Sequence, residues 1–240
     1  IFKNFNMCWT GGNIGFDNAH NIYLADEAFM RINRFALPYN LRTVDGELCP
    51  PFANGGLFNT HTANAVSGYK FGGAVGAFAY GNQLVVKDGG RYMVWENYLD
   101  RENGARADFV IGQPSDDTKV GLPWNTLGSR GTHAIDDKGR MWTFNAHGKI
   151  IVFQLPFKAG DAPLKDFVKA YWIDDRTEID YGGFEVGLGF DPVGRKLWIL
   201  DRSNHRLLRV SNYDDYQAGL LVDMVIGQTD KSGTACNQGQ

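Results

Sequence analysis

The sequence predicts an all-β protein built from a small antiparallel sheet that is repeated along the chain. One pattern occurs four times: a small residue and an aromatic residue or Ile, a gap, a strand-like segment that ends in Asp or Asn, a short turn, and a strand that begins near a basic residue. Thirty glycines suit a chain with many tight turns. No segment shows a sustained helical period, so short strands and turns are the expected elements.

The four copies follow one another at a regular distance. The Asp or Asn that ends the middle strand recurs after 62, 57 and 56 residues, at Asp26, Asp88, Asn145 and Asp201. We predict repeats over residues 12–58, 74–114, 131–170 and 186–229. Together they form one predicted domain over residues 1–240, which we interpret as a fragment of a larger fold.

The first three strands of a repeat can be assigned in order. The first strand carries a small residue at its centre, which allows a neighbouring backbone to approach closely; these residues are Gly15, Ala77, Ala134 and Gly189. A tight turn with Gly, Asn or Asp follows. The second strand is rich in β-branched and aromatic residues. The third strand begins at a basic residue, namely Arg31, Arg91, Lys149 or Arg206.

A fourth strand completes each repeat. It is clear at 108–114 and 223–229, which share Val-Ile-Gly-Gln, and weaker at 166–170. In the first repeat, 45–48 is the best candidate, and 213–221 is a candidate short helix. Four strands and a polar connection make a unit of about 57 residues, which is typical of a β-propeller blade. Stacking such blades buries both faces of each sheet.

At these residues the chain resembles the NHL-repeat β-propellers of bacteria. The segments 21–35 and 197–210 are similar to the family's core phrase, in which a strand ending in Ala-Asp precedes a short Asn-containing turn and an Arg-rich strand. The Val-Ile-Gly-Gln strands are similar to a further phrase of the family. The second and third repeats depart from the pattern at Ala79, Asn145 and Lys149. The resemblance implies a ring of about six blades, so we expect further blades, or another copy of the chain, to close the ring.

Composition excludes some functions. A net charge of −3 without a long basic run argues against nucleic acid as the main partner. No apolar stretch approaches the 18 residues of a membrane span. The cysteines have no metal-ligand spacing, and the disulfide state of Cys8, Cys49 and Cys236 stays open. The resemblance to bacterial NHL-repeat proteins implies a secreted or periplasmic protein.

Acidic and basic residues pair across the turn between the second and third strands. We predict that the Asp caps this turn and that the Arg reaches it with its guanidinium. A catalytic carboxylate is not expected at the same place in three repeats. The pairs are Asp26 with Arg31, Asp88 with Arg91, and Asp201 with Arg206.

His133 is the candidate for ligand binding, because the first strand of a blade lines the central channel in propellers of this kind. Equivalent positions of the four repeats form a column, and this column holds Ile14, Gly76 and Leu188 in the other three repeats. His133 is its titratable residue. Arg130 precedes it and Asp136 follows it. One interpretation is a ligand or metal contact at the channel. The other, which we favour, is a histidine that bonds to backbone carbonyls in the blade packing.

The resulting hypothesis is a binding or scaffold module for a protein or carbohydrate partner. Long connections such as 45–73 and 120–131 would be held on a rigid frame. The alternative is a metal-dependent enzyme, because the chain also resembles the peptidyl-amidoglycolate lyases and the calcium-dependent lactonases. One channel histidine, where the lyases hold zinc through several, disfavours it. No catalytic residue is assigned, and no zinc or calcium motif supports a cofactor.

Overall fold

The computed structural model describes residues 14–26, 31–35, 56–57, 74–101, 105–113, 132–145, 148–180 and 186–236. Within these ranges the chain forms 17 β-strands and three short 3₁₀ helices. The strands form four sheets, one for each predicted repeat, and we number them blades 1 to 4. The all-β prediction is confirmed. The chain divides into two compact units: unit 1 holds blades 1 and 2, and unit 2 holds blades 3 and 4.

In unit 1 the strands of each blade follow one another in chain order. Blade 1 comprises β1 (Ile14–Phe16), β2 (Ile22–Asp26), β3 (Arg31–Phe35) and β4 (Gly56–Leu57). Blade 2 comprises β5 (Ala74–Tyr80), β6 (Gln83–Asp88), β7 (Arg91–Glu96) and β8 (Phe109–Ile111), with a 3₁₀ helix at Tyr98–Asp100. The fourth strand of blade 1 is β4. The candidate segment 45–48 lies outside the described residues.

In unit 2 the order is the same, with one added strand. Blade 3 comprises β9 (Ala134–Ile135), β10 (Arg140–Phe144), β11 (Ile150–Gln154) and β12 (Lys165–Val168). Blade 4 comprises β13 (Ala170–Trp172), β14 (Val186–Asp191), β15 (Lys196–Asp201), β16 (Arg206–Val210) and β17 (Leu220–Ile226). Its 3₁₀ helices are Arg202–Asn204 and Tyr213–Ala218, and the second confirms the candidate short helix.

The added strand corrects the prediction of four antiparallel strands in every blade. β13 pairs in parallel with β17, so blade 4 has five strands. β12 ends two residues before β13 begins. One extended segment therefore contains the edge strand of blade 3 (β12) and then an edge strand of blade 4 (β13). All other strand pairs in the described sheets are antiparallel.

The strand register corrects one predicted column. Gly15 pairs with Tyr23 in blade 1. In blade 2 the equivalent of Tyr23 is Val85, which pairs with Phe78, so the equivalent of Gly15 is Phe78 rather than Ala77. The turn between β5 and β6 is shorter than its counterpart in blade 1, and this moves the register by one residue. A one-residue shift transfers a side chain to the other face of a sheet. The column of His133 accordingly holds Ala77 instead of Gly76.

Each blade has two faces, defined by this register. The forward face carries the Gly15 column, and the rear face carries the Phe16 column. In blades 1 and 3 the forward face packs against the next blade of the same unit. In unit 1 the forward face of blade 1 meets blade 2 in one apolar cluster, formed by Tyr23, Ala25, Ile32, Ala77, Leu84, Val86, Met93, Trp95, Tyr98 and Ala107. In unit 2 blades 3 and 4 share a second cluster around Trp142, Phe144, Ile199 and Leu208.

Gly15 shows how closely two blades approach each other. A Cβ on Gly15 would lie 2.0 Å from the carbonyl oxygen of Ala77 on the neighbouring strand β5. No side chain fits at that distance, so the small residue predicted for this strand is required by the blade interface. None of the described helices is long and apolar enough to cross a membrane.

Candidate functional site

Asp136 follows β9 and is 5% exposed. Its Oδ1 accepts hydrogen bonds from the backbone N–H groups of Lys138 and Arg140, at 2.9 and 3.0 Å. Its Oδ2 accepts from Arg140 Nε at 2.7 Å and from Trp142 Nε1 at 2.9 Å. Four donors therefore converge on one buried carboxylate, which holds both the turn after β9 and the indole ring of the next strand.

Arg140 carries this network to the next blade of unit 2. Its Nη2 lies 2.8 Å from Asp214 in the 3₁₀ helix after β16. The guanidinium carbon lies 5.4 and 5.2 Å from the ring centroids of Tyr213 and Tyr216. Burial lowers the pKa of Arg140, but hydrogen bonds to Asp136 and Asp214 outweigh burial and raise it overall. The cation therefore acts as a charged bridge between two blades.

Asp17 occupies the equivalent place in unit 1. Its Oδ1 accepts from the backbone N–H groups of Ala19 and Asn21, at 2.9 and 2.8 Å. Its Oδ2 accepts from Asn21 Nδ2, from Tyr23 OH and from Tyr98 OH, at 2.7, 2.8 and 2.9 Å. We call each of these carboxylates, together with its hydrogen-bond donors, a hub. Tyr98 belongs to the 3₁₀ helix of blade 2, so the Asp17 hub also joins two blades.

The electrostatics of the Asp17 hub follow from its hydrogen bonds. Burial raises the pKa of Asp17, but hydrogen bonds from Asn21, Tyr23 and Tyr98 outweigh burial and lower it overall. Burial and the bond to Asp17 raise the pKa of Tyr98 to about 12, and they also raise the pKa of Tyr23. The carboxylate is ionised and both hydroxyls are protonated at neutral pH.

The Asp–Arg pairs lie at the other end of the second strand. Arg91 Nη2 and Arg206 Nε each lie 2.8 Å from a carboxylate oxygen, of Asp88 and Asp201 respectively, and all four side chains are buried. The predicted contact is confirmed for both pairs. Blade 3 uses Asn145 instead, whose Oδ1 accepts from the backbone N–H of Lys149 at 2.9 Å.

The first pair is described only in its backbone. Asp26 and Arg31 face each other in register, as the other pairs do, and their side chains lie outside what the structure describes. Asp201 is further held by Asn204 Nδ2 at 2.8 Å.

The predicted binding residues do not form one cluster in the described chain. His133 is half-buried and adjoins Thr132, whose Oγ1 accepts from the backbone N–H of Leu188 at 2.7 Å. Alternation along the strand places His133 on the rear face, whereas Asp136 bonds to Trp142 on the forward face. Arg130 lies outside the described residues. Ligand binding by these residues stays a prediction, and no group of three metal-ligating side chains occurs among the residues described.

A surface that sequence reasoning missed lies at the outer edge of unit 2. β12 is the edge strand of blade 3. Phe167 on β12 is 45% exposed, and Leu164 just before it is 44% exposed. The edge strand of blade 4, in contrast, is covered by its own chain, because Trp172 N donates to Thr177 O and Ile179 N donates to Ala170 O.

Charged pairs lie beside β13, the strand that follows β12 in the chain. Lys169 Nζ lies 2.8 Å from Glu178 Oε2, and Lys231 bonds to both Asp174 and Asp175. The bond from Lys231 lowers the pKa of Asp175 to about 2. The acidic pair is exposed, and it is held by a cation from a distant part of the chain.

Comparison with known proteins bears on the fold. No family model matches the chain, and no curated protein is similar to it in sequence. An auxiliary nutrient-binding protein from Bacteroides ovatus is similar in structure, with a TM-score of 0.51 and 15% identity over 93% of this chain. A streptogramin B lyase (TM-score 0.45, 10% identity, 97% of this chain) and a nidogen/laminin complex (0.47, 18%, 82%) also match.

The nutrient-binding protein is a β-propeller, and the chain has the same type of fold. The chain spans 59% of the lyase, 58% of the matched chain in the nidogen/laminin complex and 43% of the nutrient-binding protein. At these identities the likeness concerns the fold alone.

Proposed function

We propose that this chain is part of an NHL-type β-propeller that acts as a binding module, with a protein as its first partner class and a carbohydrate as its second. The observation that carries the proposal is the edge strand β12, whose strand partner among the described residues is β11, with its exposed Phe167. We also propose that the module works outside the cytoplasm, which cell fractionation with an antibody against the chain would test.

The polar groups of the blades support a scaffold role. The Asp17 and Asp136 hubs use their carboxylates for turns and blade interfaces, and the buried Asp–Arg pairs hold the opposite turns. Buried hydrogen-bonded networks make a frame rigid. A rigid frame is what a surface needs in order to present a partner site without losing conformational entropy on binding.

The edge strand indicates how a protein partner would bind. Apart from β11, β12 has no strand partner in the described part of the chain. An extended segment can add to such an edge through backbone hydrogen bonds, while side-chain contacts supply specificity. Phe167 and Leu164 offer apolar contacts at this edge, and the pair formed by Lys169 and Glu178 offers charges of both signs.

The experiment uses a random peptide library displayed on phage and an array of immobilised glycans as probes. We expect extended, apolar peptides to be selected and their binding to be lost in Phe167→Ser. Val193→Ser is the matched control, because Val193 is 93% exposed in the turn after β14, outside β12 and β13. Selected peptides that bind both variants equally would show that the edge is not the site.

Metal analysis of the purified protein tests the alternative function, a metal-dependent enzyme. Stoichiometric zinc or calcium that is lost in His133→Ala, together with no peptide or glycan binding, would favour the enzyme over the binding module. Glycan binding without peptide binding would favour the second partner class and would place the site elsewhere than the β12 edge.

A further inference from the structure

Lys165 is a half-buried cation at the start of the edge strand β12. Leu164 comes directly before it, and Phe167 follows two residues later; both are exposed. We propose, building on the proposed function of this edge, that Lys165 makes β12 selective for an extended peptide segment in which an acidic residue lies between two apolar residues.

The charge of Lys165 distinguishes it from the cations around it. The other cations on β16 and on the segment from β12 to β13 each form an ion pair at 2.8 or 2.9 Å: Arg206 with Asp201, Arg209 with Asp223, and Lys169 with Glu178. Lys165 forms no ion pair within the part of the chain that the structure describes. A cation without a carboxylate neighbour favours a ligand that brings a negative charge.

The strand register places Lys165 and Phe167 on opposite faces of blade 3. Lys165 pairs with Val152, which belongs to the forward-face cluster between blades 3 and 4. Val168 belongs to the same cluster, so alternation along the strand places its neighbour Phe167 on the rear face. Leu164 precedes Lys165 and lies on the rear face by the same alternation.

A β-bulge brings the charged and the apolar side chains close together along the edge. Between its two register pairs with β11, β12 contributes two residues where β11 contributes one, Ile151. A bulge of this kind redirects side chains on an edge strand. Phe167 is 45% exposed and Leu164 is 44% exposed. The ammonium group on the forward face is therefore flanked along the chain by two exposed apolar side chains on the rear face.

An extended segment added to this edge would direct alternate side chains to the two faces. Its residue opposite Lys165 would share the forward face with the ammonium group. The residues before and after that position would share the rear face with Phe167 and Leu164. Opposite charges and apolar pairs on neighbouring strands stabilise a sheet. The complementary sequence is apolar–acidic–apolar, and Val-Glu-Val suits it because valine also favours the extended conformation.

Binding of three fluorescent peptides to the purified protein, measured by anisotropy, tests this selectivity. The peptides carry Val-Glu-Val, Val-Gln-Val or Val-Lys-Val between identical flanking residues. We expect Val-Glu-Val to bind at least about threefold more tightly than Val-Lys-Val, because an attraction across the strands is replaced by a repulsion. Phe167→Ser should weaken the binding of all three peptides, because each of them loses the same apolar contact.

Substitution of the lysine separates its charge from its apolar stem. Lys165→Glu should reverse the order of the three peptides, and Lys165→Met should remove the preference while binding remains. Lys149→Glu is the matched control, because Lys149 is exposed in the turn before β11 and the net charge changes by the same amount. This variant should keep the preference for Val-Glu-Val. Thermal melts establish that each variant is folded.

The outcomes distinguish this selectivity from the peptide site itself. Peptides whose binding depends on Phe167 but shows no charge preference would overturn the role of Lys165 and leave the β12 edge as the peptide site. A preference that survives in both Lys165 variants would do the same. If none of the three peptides binds, or if Phe167→Ser changes nothing, the proposed function and this selectivity are both wrong.

Discussion

The hydroxyl of Tyr98 offers a clean test of how blades 1 and 2 are held together. Tyr98 is 3% exposed and donates to Asp17 Oδ2 at 2.9 Å across 81 residues of sequence. Tyr98→Phe removes this hydroxyl and keeps the ring, which packs edge-on against Tyr23 at 6.0 Å. A hydrogen bond to a charged acceptor contributes about 1.5 to 3 kcal/mol, and we expect the free energy of unfolding to fall by that amount.

Asp17→Asn tests the acceptor side of the same bond. Five hydrogen bonds end on the two oxygens of the carboxylate. An amide nitrogen in place of Oδ2 cannot accept the bonds from Asn21 Nδ2, Tyr23 OH and Tyr98 OH, so three donors lose their acceptor. At about 1 to 3 kcal/mol for each unsatisfied group, we expect a loss of at least about 3 kcal/mol.

The assay is urea unfolding of the two single variants and the double variant, followed by tryptophan fluorescence and circular dichroism. Because Tyr98 and Asp17 contact each other directly, the double variant should lose less stability than the sum of the single losses, with a coupling of about 1 to 2 kcal/mol. Additive losses, or a Tyr98→Phe variant as stable as the unmodified chain, would refute the inference that the bond joins the blades.

Four further predictions follow from single contacts. Asp201→Ala should lower the free energy of unfolding by about 1 to 3 kcal/mol, because it leaves buried Arg206 without its carboxylate; unchanged urea unfolding would contradict this. Gly15→Val should destabilise the fold, whereas Gly189→Val should not, as thermal melts would show. Burial raises the pKa of Asp17, but its hydrogen bonds outweigh burial and lower the pKa below 3.8. The stabilisation from the ionised carboxylate is therefore present above pH 3.8 and is lost as pH falls through the lowered pKa. Acid unfolding of Asp17→Asn should lack this loss of stability. Burial lowers the pKa of Lys87 from 10.5 to about 7. Between pH 7 and pH 10.5 the unfolded chain therefore binds more protons than the folded chain, and the free energy of unfolding should rise with pH by up to about 5 kcal/mol. This rise should be absent in Lys87→Met.

The local elements could be read from the sequence because each depends on short-range chemistry. The second strand ends at Asp26, Asp88 and Asp201, as expected from alternating apolar residues before an Asp-containing turn. The buried pair of Asp201 and Arg206 was also predictable, because both residues flank one hairpin and recur at the same place in other repeats.

The register and the partners across blades could not be read in this way. A turn shortened between β5 and β6 places Phe78, rather than Ala77, in the Gly15 column, and one residue of shift decides which face a side chain joins. Asp136 was a candidate for ligand binding by its position near His133. Its carboxylate instead bonds to nearby donors within blade 3, and the bond that reaches blade 4 runs from Arg140 to Asp214, 74 residues away in the sequence.

By itself the sequence determined the repeat, the strand type and the turn chemistry, since these follow from periodicity and from residues within one hairpin. Only the tertiary structure decided which faces are covered. Leu200 and Phe144 occupy the same column and look alike in sequence, yet one is 49% exposed and the other 2%. Burial depends on what packs against a residue from elsewhere in the molecule, and no local pattern of residues encodes that contact.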